Sequence, residues 1–231
     1  MIALIDADSI AYRIAFGCGD EPEKVALRKV SEFLEELVYT YVDSEDCEGY
    51  LTGSANFRFD IAKTVPYKGN RVSEKPKHLG ILRQYMIDAW AFSVQDGQEA
   101  DDAISIRAYE LGEEDYIICS IDKDLNNVRG WHYDFGKNNR YFVTEEQAIK
   151  NFYTQILTGD RVDNVPGLKG IGPKKAEKIL QDCSTEEELY KAVLEAYDGD
   201  VEYLTEQGQL LWLRREKNQL WKPPELSTSS G

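Results

Sequence analysis

Glu99-Ala100-Asp101-Asp102 opens the stretch that decides how this chain is read. It is followed by Ala103, Ile104, Ile106, Ala108 and Leu111 at helical spacing, by Tyr116-Ile117-Ile118-Cys119-Ser120-Ile121, and by Asp122-Lys123-Asp124. The pattern predicts a helix with three carboxylates in its first turn, then a buried strand that ends in two more. Acids suit a helix N-terminus, where free N–H groups and the dipole favour negative charge, but one or two serve that purpose. Two carboxylates ~5 Å apart repel by roughly 3 kcal/mol at an effective dielectric constant of about 20. Five at the ends of adjacent elements are tolerable mainly with a divalent cation among them. A solvated acidic surface is the plain alternative.

Outward from this stretch the same alternation continues. Residues 2–5 are an apolar strand running into Asp6, Ala7, Asp8 and Ser9. An acid at the carboxyl end of a first strand stands where open parallel sheets bind ligands; Asp8 or Ser9 serves equally as a helix cap. Residues 24–41 read as an amphipathic helix, 50–52 as a second strand running into Gly53, 78–92 as a helix and 92–95 as a third strand. Weak alternation over 131–135 and 140–143 predicts a hairpin or edge strands. Thr144 with Gln147 marks a capping-box start for a helix ending at Thr158 and Gly159, and a second capping signal stands at Ser184 and Glu187. The expected fold is α/β, with a mostly parallel central sheet over residues 1–143 and helices on both faces. A helical region follows over 144–222, then a Pro- and Ser-rich tail, 223–231, of disordered composition.

The formal net charge of −15 argues at first against a nucleic-acid partner. Its distribution argues otherwise. Acids crowd residues 20–48, whereas 55–83 carry Arg58, Lys63, Lys68, Arg71, Lys75, Lys77 and Arg83 against Asp60 and Glu74. A second basic run holds Lys169, Lys174, Lys175 and Lys178, and such local runs suit a polyanion. Cys18, Cys47, Cys119 and Cys183 show no paired spacing, and His78 and His132 are isolated, which speaks against zinc and for reduced thiols. With Asp6 and Asp8 interrupting the N-terminus, and apolar runs far short of membrane-spanning length, the reading is a soluble, cytoplasmic protein without membrane contact.

A third place supplies acids. Asp160 and Asp163, three residues apart after Gly159, face one way in a helical or turn-like segment. With Asp6, Glu99, Asp101, Asp102, Asp122 and Asp124 they make a set suited to two hard cations, and oxygen ligands alone favour Mg2+ or Mn2+. Directly after them, Gly167, Gly170, Gly172, Pro173, Lys174 and Lys175 have the spacing of a helix-hairpin-helix over about 157–182, a clamp for phosphates that reads no base sequence. The irregular, basic and aromatic segment with Tyr67, Lys68 and Arg71 suggests polyanion contact, with Tyr67 stacking on a terminal base.

In this order, Asp6; Tyr67-Lys68-Gly69-Asn70-Arg71; Glu99-Ala100-Asp101-Asp102; Asp122-Lys123-Asp124; and Leu157-Thr158-Gly159-Asp160 with Asp163-Asn164-Val165-Pro166-Gly167 resemble the 5′ nuclease superfamily. That group takes in flap endonucleases, the 5′ nuclease domain of bacterial DNA polymerase I and phage 5′ to 3′ exonucleases. The likeness covers about residues 2–180, and Gln207-Gly208-Gln209 onward to Trp221 looks like the end of exonucleases from short-tailed phages. The resemblance implies a helical arch over about 66–92, a helix-three-turn-helix, and hydrolysis of DNA at 5′ ends, nicks or flaps with two metal ions. By carry-over the eight acids hold the metals, while Lys68 and Arg71 touch the scissile phosphate. A phage origin would place the protein in the cytoplasm of an infected bacterium. One departure stands out: the family commonly has an aspartate at the end of the second strand, where this chain has Thr52 and Gly53. The alternatives are a catalytically weak protein that binds DNA junctions, an RNA-primer-removing nuclease of the same fold, and a single-strand ribonuclease with no use for the hairpin.

Overall fold

The computed structural model describes residues 1–70 and 74–226, so Arg71 and the tail beyond residue 226 lie outside the described residues. The sheet elements are β1 (Ile2–Asp6), β2 (Asp46–Asn56), β3 (Ser93–Gly97), β4 (Tyr116–Cys119), β5 (Gly130–Asp134) and β6 (Asn139–Val143). The helices are α1 (Ala7–Cys18), α2 (Glu23–Glu36), α3 (Arg58–Ile61), α4 (Leu79–Trp90), α5 (Ala100–Glu110), α6 (Glu145–Thr158), α7 (Pro173–Leu180), α8 (Glu186–Ala196) and α9 (Val201–Leu211). A π-helical turn, Leu37–Tyr41, extends α2 to the end of the helix expected there. Strand β2 is much longer than the three residues its apolar core suggests, because pairing with β1 and then β3 carries it from Asp46 to Asn56.

The sheet runs β3-β2-β1-β4-β5-β6, parallel except for the antiparallel β5–β6 pair. Strand order therefore reverses at β1: β2 and β3 extend to one side, β4 and the rest to the other. The carboxyl ends of β1 and β4 flank this switch point, where an open sheet leaves a crevice. Side chains of β1 alternate between two cores. Ala3 and Ile5 join one beneath α1, α2 and α4, and Leu4 joins the other beneath α5 with Tyr116, Ile118 and Leu213. Both faces are thus buried, which is why β1 and β4 read as continuous apolar runs.

A third core belongs to the helical region, where α6 to α9 gather Phe152, Tyr153, Ile156, Leu157, Tyr190 and Trp221. Tyr67 packs into this core too, and Leu213 returns to the sheet, so contacts cross the 143/144 boundary in both directions. Of the segment expected as an arch, α4 belongs to the sheet core through Leu79, Leu82 and Met86. The described residues between α3 and α4 are 62–70 and 74–78. The capping box of α6 forms as expected. That of α8 is one residue later than expected, with Thr185 as cap and Glu188 as its partner. Glu188 also accepts the Ser184 N–H at 2.7 Å, which uses the neighbouring hydroxyl residue without making it the cap. Among the described residues no helix is long and apolar enough to cross a membrane.

Leu4, fully buried where β1 meets α5, is a stringent probe of this arrangement. Leu4→Ala is expected to lower unfolding stability by about 2–5 kcal/mol, read as a reduced urea midpoint at unchanged slope. A change below about 0.5 kcal/mol, the range of surface substitutions, would contradict the two-sided core.

Candidate active site

At the switch point lies an open cleft of about 1100 Å³ lined by Asp6, Asp8, Glu99, Asp101, Asp122, Asp124, Asp160 and Asp163. Each arrives by a local device. Asp6 ends β1 and caps α1, accepting the Ser9 N–H at 3.0 Å and the hydroxyls of Ser9 and Ser120, the latter at 2.5 Å. Glu99 caps α5 and sets Asp101 in its first turn. Asp122 caps the 3-10 turn Lys123–Asn127 after β4, accepting the Asp124 N–H at 2.9 Å. Asp160 pairs with Val165 through two backbone hydrogen bonds of 2.8 Å that close the loop between them. Its carboxylate accepts the N–H groups of Val162 at 2.6 Å and Asp163 at 3.2 Å.

The electrostatics record the crowding. Burial, partly offset by hydrogen bonds from the two serines, raises Asp6 to about 6. Burial together with Asp122 and Asp160 raises Asp124 to about 8. Burial raises Asp122 as well, and Asp101 is pushed well above the carboxylate range by burial and by Asp6, Asp122 and Glu99. Asp160 runs the other way: burial opposes its charge, but the N–H groups of Asp163 and Val162 and the Lys123 ammonium hold it below its usual value. A set of acids pushed up together in one cleft is the electrostatic mark of a functional site.

Two lysines stand among the acids. Lys68 Nζ bonds Glu99 and lies 3.6 Å from Asp163, and Lys123 Nζ lies 3.5 Å from Asp160 and 3.7 Å from Asp124. Lys68 and Asn164 both hold positive φ where segment 66–70 meets loop 161–164. Four hydrogen bonds join these pieces: Lys68 N to Asp163 O at 2.8 Å, Asn164 Nδ2 to Pro66 O at 2.9 Å, Asn70 Nδ2 to Arg161 O at 2.8 Å and Tyr67 OH to Asp163 at 2.5 Å.

Three residues differ from their expected roles. Tyr67 is 3% exposed, with its ring edge-on to Phe59 and its hydroxyl within reach of both Glu99 and Asp163, so it ties acids together and has no face for a base. Asp102, wholly buried, is not among the described residues lining the cleft. Arg58 grips it with bonds of 2.6 and 2.9 Å, and this partner holds its carboxyl below the usual range against the burial that opposes ionisation. Gly167 is buried against Gly159 at φ +61, and its N–H is taken by Gln207 at 3.1 Å, so it packs the loop rather than facing a phosphate.

The remaining hairpin residues lie where the spacing put them. Gly170 and Gly172 are exposed, and Gly172 caps α7 with Pro173 in its first turn. Lys174 and Lys175 project from that turn, Lys175 folding back on the Gly170 carbonyl at 2.8 Å. Pro173 has no N–H, and the N–H groups of Lys175 and Ala176 are taken by the Gly172 carbonyl, each at 3.0 Å, so the positive end of α7 and its two exposed lysines are what this turn presents to solvent. The position of the departure, Gly53, lines the cleft beside Thr52. There Arg83 bonds Asp8 and donates to Thr52 O at 2.6 Å, while Asp8 accepts the Thr52 N–H at 2.7 Å. Asp8 is thus occupied by a fixed cation. Sequence reasoning missed Arg58, Ser120 and this Arg83–Asp8 pair. Only Ser120, beside Asp122 in the opening stretch, carried a local signal.

The donors fit hard divalent cations chemically: they are carboxylates throughout, from buried Asp6 and Asp160 to exposed Asp122. Among the described residues no group of three or more His, Cys, Asp or Glu side chains stands close enough together to hold a metal ion as placed. The cleft is open, and Lys68 and Lys123 stand between the acids, so ions held here would keep several waters and displace ammonium groups.

No family model matches the sequence. The chain is 32% identical over 159 residues to DNA polymerase I of Deinococcus radiodurans, a match covering 64% of this chain and 15% of that one. It is 35% identical over 106 residues to a 5′-3′ exonuclease of Aquifex aeolicus, covering 41% of this chain and 37% of that one. The chain therefore spans well under half the length of either relative. In fold it is similar to the bacteriophage T5 D15 flap endonuclease, solved with DNA and metal ions, at a TM-score of 0.63, 17% identity, and coverage of 91% of this chain and 88% of that one. Its switch-point cleft and parallel sheet thus go with sequence similarity to a DNA polymerase I and to a 5′-3′ exonuclease and with the fold of a flap endonuclease.

Proposed function

We propose that the chain is a divalent-metal-dependent 5′ nuclease that hydrolyses DNA at 5′ ends, nicks or flaps. One observation carries the reading: acids from β1, α5, the turn after β4 and the 160–163 loop line a single cleft. The names of the relatives, an exonuclease and a flap endonuclease, agree with it. Asp6, Glu99, Asp101, Asp122, Asp124, Asp160 and Asp163 would hold Mg2+ or Mn2+, two ions in all, and Asp102 would act only through its neighbours. Bound there, such ions lower the pKa of a water that attacks phosphorus and steady the departing oxygen.

The chain's own groups do the rest. Lys68, held at the cleft between Glu99 and Asp163, supplies a positive charge for the non-bridging oxygens as charge builds on them. Arg71, three residues on, is proposed for the same task from its sequence position. Residues 1–143 would carry the chemistry and 144–222 the grip on DNA, with the exposed N-terminus of α7, Lys174 and Lys175 as a helix-hairpin-helix clamp on backbone phosphates. The work belongs to DNA replication or recombination in a bacterial cytoplasm, most simply that of a phage-infected cell. The pinned Asp8 and the absent acid at Gly53 favour, as second reading, a junction-binding protein of weak activity.

A digest of end-labelled nicked, gapped, flapped and RNA-primed duplexes separates these readings. Mg2+-dependent release of 5′ products is expected, reduced at least ~100-fold in Asp122→Ala, since changes merely behind a metal shell already cost about 10–100-fold. Junction binding without cleavage by either protein would leave only the second reading. Cleavage of RNA primers alone would assign the enzyme to primer removal. For the clamp, Lys174→Ala should weaken duplex binding equally for all sequences and reduce the salt slope by about 1; an unchanged slope would remove it from the interface.

The raised acids make a further prediction. A carboxyl whose folded pKa exceeds its unfolded value favours the folded state while protonated, and this advantage is lost as pH rises toward the folded pKa. His132, buried and lowered from 6.5 to about 4, changes stability only below pH 6.5. From pH 6.5 up through about 8, where Asp124 titrates, the metal-free protein should therefore lose thermal stability. Millimolar Mn2+ should reverse that loss. A melting temperature in chelator that rises over this window would refute the assignment.

A further inference from the structure

Arg58 lies in a run of basic residues, yet it is 1% exposed and every polar group of its guanidinium is engaged. Nε donates to Leu210 O at 2.9 Å and Nη2 to Trp212 O at 2.7 Å, both carbonyls at the end of α9. Nη2 also reaches Asp102 Oδ1 at 2.9 Å, and Nη1 reaches Asp102 Oδ2 at 2.6 Å while lying 3.6 Å from Glu99 Oε2. Asp102, fixed in this way, accepts the Glu99 N–H at 3.1 Å and the Arg214 N–H at 3.2 Å.

The buried side chain therefore meets the cleft at both ends of Glu99. It acts on the backbone N–H through Asp102 and on the carboxylate through charge. The hold on Arg58 comes from the C-terminal segment, which is itself anchored nearby. Glu206 on α9 accepts Lys63 N and Thr64 N, each at 2.7 Å, and Thr64 Oγ1 at 2.6 Å, so α9 also fixes the chain that leads from Arg58 to Tyr67 and Lys68. Those two residues bond the same Glu99 carboxylate. Resting on the reading of the cleft as a metal site, we infer that Arg58 is a positioning residue for Glu99. It passes the seating of the C-terminal segment 206–214 on to the carboxylate cleft and so sets the ion affinity of that cleft.

A purely structural role is the rival account, and the charges allow the two to be told apart. Removing Arg58 alone leaves the buried Asp102 carboxylate with two backbone N–H groups but no cation beside it, a loss large enough by itself to unfold a marginal protein. The paired variant Arg58→Met with Asp102→Asn removes both charges, so no buried charge is left unpaired, and it keeps an acceptor for one of the two N–H groups, since Glu99 N–H meets Oδ2 and Arg214 N–H meets Oδ1. Arg58→Lys keeps a buried positive charge but lacks the fork that spans Asp102, Leu210 and Trp212.

Mn2+ binding to the DNA-free, full-length proteins is measured by electron paramagnetic resonance. Duplex affinity in chelator is measured by fluorescence anisotropy and helix content by circular dichroism. With helix content retained, Mn2+ dissociation constants are expected to rise about 10–100-fold in both variants, the range for groups that orient metal ligands, with chelator-state duplex affinity unchanged. Wild-type Mn2+ affinity in either folded variant overturns the inference. Equal loss of Mn2+ and duplex binding overturns it too, because that is the mark of general destabilisation. Failure of the unsubstituted protein to bind Mn2+ would instead overturn the reading of the cleft itself.

Discussion

Carboxylates of like charge, brought from four parts of the chain to the mouth of a parallel sheet, repel one another, and most of the surrounding structure is concerned with holding them there. Nothing in the packing of the sheet requires them. Asp6, Asp122 and Asp160 are retained by short hydrogen bonds from serine hydroxyls and backbone N–H groups at their own turns. Lys68 and Lys123 lend partial neutralisation from across the cleft. Even so, burial and mutual repulsion leave Asp6, Asp101, Asp122 and Asp124 reluctant to ionise. A site of this kind stores electrostatic free energy that a multivalent cation releases on binding, which couples ion binding to stability.

The cost is met by cross-bracing between segments far apart in sequence. Segment 66–70 is stitched to loop 161–164, and both stitched sides contain a residue at positive φ, Lys68 and Asn164. Strain of that sort persists only where surrounding contacts over-determine it. Loop 159–167 is in turn held by α9, where Gln207 takes the Gly167 N–H and Tyr203 donates to the Gly167 carbonyl at 3.0 Å. The helix thereby ties the loop that leads into α7 to the same frame that carries the acids.

Local patterns in the chain were enough for much of this. Apolar residues 2–5 and 116–119 could only be buried strands, and each ended in acids at the sheet edge where a crevice forms. The Thr144 and Gln147 box, the proline after Gly172 and the glycine after Thr158 marked helix ends through backbone chemistry that operates within a few residues. Seven of the eight expected acids reached the cleft because turn and cap geometry is local, and because a parallel sheet brings strand ends together.

What the sequence by itself determined, then, was the alternation of elements, their ends, and the gathering of acids at one edge. Only the tertiary structure decided which of two adjacent aspartates faces the cleft. Asp101 and Asp102 differ by about 100° around α5, and the buried guanidinium of Arg58, 44 residues away in the chain, draws Asp102 inward and leaves Asp101 among the acids. Tyr67 was diverted in the same way from stacking to bridging, and Gly167 from phosphate contact to packing. In each case the deciding partner lies far along the chain, and no periodicity or spacing in the sequence records whether a polar group will be met by water or by another buried charge.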